Sequence, residues 1–245
     1  MCEDTRRTRT LLDHFKIVVE APLVRFDAHS ERDRIEEVLG WLGNGESLAL
    51  VSDAGTPGIN DPGERLVRAA AAAGHRVIPV PGASSVTAAV SVSGLGGGGF
   101  AFGGFLPKGI DALRTKLAGL SRGTWVFFVP ARDLEEALLT MATLPVVGEV
   151  VVAREMTKLH ESFYRGTAHA LVERLSGDEE ARLGEAVVVF SVVEAALGDE
   201  VVEGLLREQI ALGKSPKAAV EAVAGALGLS KRHVYQLVLK LDGRR

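Results

Sequence analysis

Cysteine is almost absent: Cys2 stands alone among 245 residues. A single thiol excludes an intrachain disulfide and a cysteine-based metal cluster, as fits a chain that works in a reducing cytoplasm. Aromatic residues make up only 5% of a chain that is 47% hydrophobic, so its core must be built mostly from Val, Ala and Leu. That apolar content excludes disorder throughout, and at this length it fills one large core or two modest ones. Positive charge is not in excess either. Lys and Arg number 28 against 32 Asp and Glu, a net charge of −4, so a nucleic acid would be gripped by a local basic patch rather than by the whole chain. Long apolar runs are missing. A stretch such as Ala186 to Val193 falls far short of the ~20 residues that cross a bilayer. The opening Glu3, Asp4, Arg6, Arg7 and Arg9 lead into no apolar core of a signal peptide. The expectation is a soluble cytoplasmic protein with no membrane partner.

What is present is a regular alternation. Ile35, Val38, Leu39 and Leu42 fall at helical spacing, and Asn44-Gly45 stop that helix before the short apolar run Leu48 to Val51, which reads as a buried strand. A Gly- and Pro-rich loop, Asp53 to Gly63, leads to a helix with Asp61 as N-cap, Pro62 at its first position and Gly74 beyond its end. Arg76 to Val80 reads as the next strand, followed by Pro81-Gly82-Ala83-Ser84-Ser85 and a Ser-capped helix to Ser93. Gly96 to Gly99 reads as a flexible loop. Strand and helix then alternate through Phe100 to Phe105, Ala112 to Leu120, Trp125 to Val129, Leu134 to Ala142 and Val150 to Ala153. Short strands follow at Ser162 to Arg165 and Ala186 to Ser191. Such alternation predicts an α/β fold with a mostly parallel sheet, helices on its faces and binding loops at the carboxyl ends of the strands.

The remainder is helical: Val201 to Leu212, then Ser215-Pro216 opening a helix to Leu227, with Gly228 as its stop and Ser230 capping a last helix. Lys231, Arg232 and His233 open that helix, and the outline is that of a helix-turn-helix. The implied divisions are an N-terminal α/β lobe over 1–104, a second α/β lobe over 105–195 and a helical appendix over 200–245.

Several familiar sites are excluded by one residue each. Gly213-Lys214-Ser215 imitates the end of a phosphate-binding loop, but the first glycine that loop requires is absent. His160-Glu161 opens like a zinc-protease signature, yet Tyr164 replaces the second His, and no metal is expected. No nucleophile-elbow motif occurs. Two loops remain, each after a presumed strand: Ser52 to Gly63, whose glycines let backbone groups approach a ligand, and Pro81 to Ser85, whose hydroxyls and amides open a helix.

Five ordered blocks carry a resemblance: VSDAGTPGINDPG at 51–63, PVPGASSVTAAVSVSGL at 79–95, FGGFLP at 102–107, AREMTKLHE at 153–161 and Arg165-Gly166-Thr167. They resemble the small-subunit ribosomal RNA cytidine 2′-O-methyltransferases, of the tetrapyrrole-methylase fold superfamily. Glu3 to Thr8 and the terminal helices are similar to further parts of that family. The resemblance implies a two-lobed, homodimeric methyltransferase that binds S-adenosylmethionine between its lobes and methylates the ribose 2′-hydroxyl of a cytidine in 16S ribosomal RNA of the small subunit. Asp53, Ala54 and Gly55, with Thr56 and Pro57 of the same loop, would lie by the methionine or ribose of that donor. Ser84 and Ser85 would add polar contacts, and the strand ends at Val129 and Ala153 would approach its adenine. In the family a further strand and loop precede the position where this chain starts, and they help to form the cleft.

Positioning should dominate such a reaction, with a carboxylate, or a lysine of lowered pKa, taking the hydroxyl proton. The candidates are Asp53, Glu155, Lys158 and Glu161. RNA contacts are expected from Arg6, Arg7 and Arg9 at one end, and from Lys214, Lys217, Lys231, Arg232, Lys240, Arg244 and Arg245 at the other. Two rival readings are a small-molecule methylase of the same superfamily acting on a porphyrin-like substrate, and a non-catalytic RNA- or ribosome-binding protein.

Overall fold

β-Branched residues dominate the segments that form the sheet. In the computed structural model, which describes residues 1–177, 183–193, 199–227 and 231–241, five strands pair into one sheet. They are β1 (Phe100–Phe105), β2 (Gly123–Pro130), β3 (Val147–Arg154), β4 (Ser162–Thr167) and β5 (Glu185–Val192), in the order β1-β2-β5-β3-β4. Only β1 and β2 are parallel; β5 runs antiparallel to both β2 and β3, and β3 antiparallel to β4. The mostly parallel sheet expected from the alternation is therefore corrected. A near-continuous run such as Ala186-Val187-Val188-Val189-Phe190 states that a strand is buried on both faces, not which way it points.

Both faces of the sheet are indeed covered. Phe127, Val129, Val150, Val152, Val188 and Phe190 share one core with Leu113 and Leu117 of α5 (Ile110–Ala118), with Leu134, Leu138 and Met141 of α6 (Leu134–Ala142), and with Leu171 of α7 (Ala168–Leu175). Val126, Val151, Ala153, Val187 and Val189 face the other way, against Val86 and Ala89 of α4 (Ser85–Ser93). Each such Leu or Phe contributes roughly 1.5–3 kcal/mol by leaving water. The α4 helix ends as expected, with Gly94 in the left-handed region, while Gly96–Gly98 form a 3₁₀ turn rather than a loop without structure.

The first hundred residues depart further from expectation. Here α1 (Thr5–His14), α2 (Glu31–Gly43) and α3 (Glu64–Ala72) form, and a small core of Phe26, Val38 and Leu66 packs with Met1, Trp41, Leu48 and Leu50. Neither Leu48 to Val51 nor Arg76 to Val80 joins a sheet. Val51 makes only an isolated bridge to Cys2, which bridges Arg25 on its other side, and Val77, Ile78 and Val80 are exposed. A strand needs a neighbour for its backbone groups, and none lies beside 76–80 among the described residues.

The start of α3 is a second correction. Gly63, not Asp61, is its N-cap, and Pro62 lies outside the helix. The side chain that satisfies the helix donors comes from α2: buried Glu31 accepts the backbone N–H groups of Gly63 (3.0 Å) and Arg65 (3.2 Å). A carboxylate there also meets the positive end of the helix dipole.

The chain divides into two compact units, 1–193 and 194–245. In the second unit α8 (Asp199–Ala211), α9 (Pro216–Leu227) and α10 (Lys231–Leu241) bury Val202, Leu206, Val220, Val223, Val234 and Leu237 together. Ser215 caps α9, its hydroxyl oxygen accepting the N–H of Ala218 at 3.3 Å. Gly228, Ser230, Arg244 and Arg245, and the side chains of His233 and Lys240, lie outside the described residues.

One glycine is dictated by packing. A methyl group on Gly103 would fall inside the ring of Phe127, which is fully buried and stacks on Phe190 at 5.9 Å. Gly103→Ala is expected to destabilise the fold by about 1–3 kcal/mol, the range for overpacking, as a lower urea midpoint at unchanged slope. An unchanged midpoint would show that Phe127 has room to move.

Candidate functional site

At the carboxyl ends of β1, β2 and β3 and the start of β5, the sheet opens into a cavity of about 580 Å³. Register puts Phe128, Val187 and Ala153 in one row across β2, β5 and β3, and Val129, Ala186 and Arg154 in the next. This apolar floor is closed by the loop residues Ala54, Gly55, Thr56, Ile59, Asn60 and Asp61 and by Ser84-Ser85 at the start of α4. Val86, Phe105, Pro130, Arg132, Glu155, Met156, Lys158, Gly184 and Glu185 complete the lining. Phe128 is held edge-on between Phe102 (4.9 Å) and Phe105 (5.3 Å).

Of the residues singled out from sequence, Ala54, Gly55, Thr56, Ser84, Ser85, Val129, Ala153, Glu155 and Lys158 line this one cavity. Asp53, Pro57 and Glu161 do not. Asp53 turns toward the N-terminal segment: its carboxylate accepts the N–H of Asp4 (3.1 Å) and lies 3.5 Å from the Arg7 guanidinium. Its own N–H donates to the Glu3 carboxylate at 3.2 Å. Glu161 is spent on a turn, accepting the N–H of Thr157 at 2.8 Å.

That turn is tightly specified. Glu155 and Thr157 both sit at positive φ, 47° and 66°, a conformation that costs a non-glycine residue energy and persists only where the surroundings enforce it. Enforcement comes from the Glu155 carboxylate, which accepts the N–H of Glu185 (2.9 Å) and the ammonium of Lys158 (2.9 Å). Gly184 is at φ 84°, and a side chain on it would strike the Glu155 carboxylate. The amide of Glu185 and the Lys158 ammonium hold Glu155 below its ordinary pKa, and Glu155 in turn raises Lys158. The expectation that Lys158 has a lowered pKa is thus corrected: it is held protonated.

Asp61 behaves in the opposite way. Burial, with the neighbouring charges of Glu3 and Asp53, raises its carboxyl, only partly offset by Ser52. Sequence reasoning read Asp61 as a helix cap and passed over it as a cavity acid, though it lies in the loop already singled out. Phe105, Phe128, Pro130 and Arg132 were also missed, although they sit at strand carboxyl ends, where the open-sheet rule places ligands. Glu185 carried no such signal, since it begins an antiparallel strand.

The basic residues divide. Arg6 makes a bidentate pair with Asp4, at 3.2 and 2.8 Å, and Arg7 is paired with Asp53. Arg9 is exposed beside a shallow depression with Thr5, Thr10 and Asp13. Lys214 donates to Gln209 (2.6 Å), and Lys231 lies 3.9 Å from Glu221. Lys217 and Arg232 are exposed.

Residues 1–172 match the family model of the tetrapyrrole (corrin/porphyrin) methylases. The chain belongs to that family. Within it, the sequence is 44% identical to the ribosomal RNA small subunit methyltransferase I of Xylella fastidiosa (strain Temecula1), over 95% of this chain and 86% of that protein. It is 36% identical to the protein of the same name from Synechocystis, over 98% and 87%. Among solved structures, a cobalt precorrin-4 methyltransferase is 15% identical over 78% of this chain and 82% of that one, with a TM-score of 0.48.

The sign of the Glu155 shift makes a pH prediction. Its folded value lies below the ordinary 4.5, so its stabilisation is present above that pH and is lost as pH falls through the folded value. Wild type should therefore exceed Glu155→Gln in thermal midpoint near neutral pH, and the gap should close on acidification below 4.5. A gap that does not vary with pH would show that charge is not what holds the turn.

Proposed function

We propose that the chain transfers a methyl group from S-adenosylmethionine to the ribose 2′-hydroxyl of a cytidine in 16S ribosomal RNA of the small subunit. It would do so in the cytoplasm, as a homodimer with lobes over 1–104 and 105–195 flanking the cavity. The observation that carries this reading is the convergence of both loops and both strand ends on one cavity, in a chain that belongs to a methylase family and is similar to proteins named for ribosomal RNA.

The residues present fit the donor. About 580 Å³ is within the range of small-molecule sites, which are mainly apolar with a few placed polar groups. Val129, Ala153, Ala186 and Val187 offer an apolar floor for an adenine. Ser84 and Ser85, opening α4, present hydroxyls and free amides to a carboxylate. Gly55, at φ 72°, brings backbone close to the ligand. S-adenosylmethionine supplies a methyl group already activated by its sulfonium, so the protein's task is to orient the nucleophile, an effect of up to ~7–11 kcal/mol in well-oriented systems.

Four proton acceptors were considered from sequence: Asp53, Glu155, Lys158 and Glu161. Asp53 and Glu161 are engaged away from the cavity, and Glu155 and Lys158 hold each other ionised, Glu155 as a weakened base and Lys158 as an acid. Asp61 suits the role better, because its carboxyl lines the cavity and burial makes it more basic than an ordinary aspartate. Lys158 and Arg132 then serve the polyanionic substrate at the mouth.

Asp61→Asn is expected to lower the single-turnover methylation rate on 16S ribosomal RNA by roughly 10²–10⁴-fold while calorimetric affinity for S-adenosylmethionine is kept. In wild type the acid limb of kcat/KM should lie above the ordinary aspartate value of 3.8. Full turnover by Asp61→Asn would remove Asp61 from the mechanism; a wild-type protein that binds no S-adenosylmethionine would remove the methyl transfer itself.

A further inference from the structure

We propose that the outward face of α10 is a platform for single-stranded RNA, on which Tyr235 stacks an unpaired base while Lys231 and Arg232 hold the adjoining phosphates. This deepens the ribosomal RNA reading and rests on it.

The placement follows from helical geometry. Val234, Leu237 and Val238 turn inward to the core of the helical unit, which fixes the rotation of α10 about its axis. Among the described side chains of α10, those exposed are Lys231, Arg232, Tyr235 and Gln236, with half-buried Leu239 one turn beyond Tyr235 on the same side. Spacings of three and four residues bring Lys231 and Arg232 alongside Tyr235 on one stripe. Tyr235 is 49% exposed, in a protein with only two tyrosines. Its ring, half in water with two cations on the turn before it, leaves part of its surface open to a stacking partner.

Charge selects the partner. In a chain of net charge −4, the sequence of α10, KRHVYQLVLKL, has no acidic residue. Arg232 makes no ion pair among the described residues, and Lys231 faces Glu221 only across a solvent-exposed 3.9 Å, a contact that a phosphate can displace. A ring with two cations on the adjoining turn offers one strand a stacking face for a base and charges for the neighbouring phosphates. A protein partner would ask for a broader apolar centre. A duplex hides its base faces in the stack, so the ring has no target there. The Gln236 amide, one turn beyond Arg232, can meet a base edge.

The test uses the full chain, with fluorescence anisotropy on a 12-nucleotide single strand and on a duplex of the same sequence. From the usual worth of base–aromatic stacking, Tyr235→Ala should weaken single-strand binding roughly 5- to 150-fold, and Tyr235→Phe should restore it. Duplex affinity and calorimetric affinity for S-adenosylmethionine should stay at wild-type values in both variants. Single-strand affinity unchanged in Tyr235→Ala overturns the platform, as does equal loss on strand and duplex, or failure of Tyr235→Phe to restore binding. If wild type methylates ribosomal RNA while Tyr235→Ala behaves normally, the platform alone fails. If wild type binds no RNA, the reading beneath it fails too.

Discussion

The central strand β5 lies between β2 and β3, antiparallel to both, and is buried on both faces. This placement brings the end of β2, the start of β5 and the end of β3 level with one another, so that these three strands turn out of or into the sheet along one rim. Backbone groups beyond that rim have no ladder partner and must be satisfied by turns, and turns at the end of a rigid sheet are places where side chains can be aimed. The Glu155 turn is the clearest case. Its carboxylate replaces the next rung by accepting the N–H of Glu185, and the same contact that finishes the sheet fixes the position of Lys158 at the cavity.

The two loops that close the cavity from the other side depend on different means. Ser84-Ser85 are carried by α4, which packs Val86 and Ala89 against the sheet and so inherits its rigidity. The 53–63 loop is anchored at its far end by Glu31, whose carboxylate reaches from α2 to the first donors of α3. Asn60 packs its amide oxygen against Gly104, in the bulge between Phe102 and Phe105 that shifts the register of β1 against β2. A side chain on Gly104 would displace Asn60, which ties the loop to the strand.

What could be read from the sequence divides along the same lines. Strand positions from Phe100 onward and the helices α5, α6 and α8 to α10 follow from local pattern, while α7 does not; the binding loops follow from the concentration of Gly, Pro and Ser between apolar runs. Direction of strands does not follow, because burial on both faces erases the alternation that would distinguish environments. Nor do contacts across many residues: Glu31 capping a helix that starts 33 positions later, or Asp53 drawn away from the cavity by Asp4 and Arg7, leave no local trace. Leu48 to Val51 and Arg76 to Val80 have strand-like composition and form no ladder, since composition records a preference for pleated surroundings and not the presence of a neighbour.

Two of the carboxyl groups that line the cavity are driven apart: Glu155 is held ionised by a donated amide and an ammonium, while Asp61 is made more basic by burial and by the negative charges of Glu3 and Asp53. Pairs of titratable groups whose environments separate their pKa values are how a single site assigns distinct roles to like groups. Here the separation has a structural origin. Glu155 lies where the sheet ends, among donors that lower its pKa, whereas Asp61 lies in a loop beside other carboxylates, where no cation among the described residues pairs with it. In the proposed reaction the first fixes a cation at the mouth and the second receives a proton within. Moving either carboxyl to the other's position would forfeit both roles.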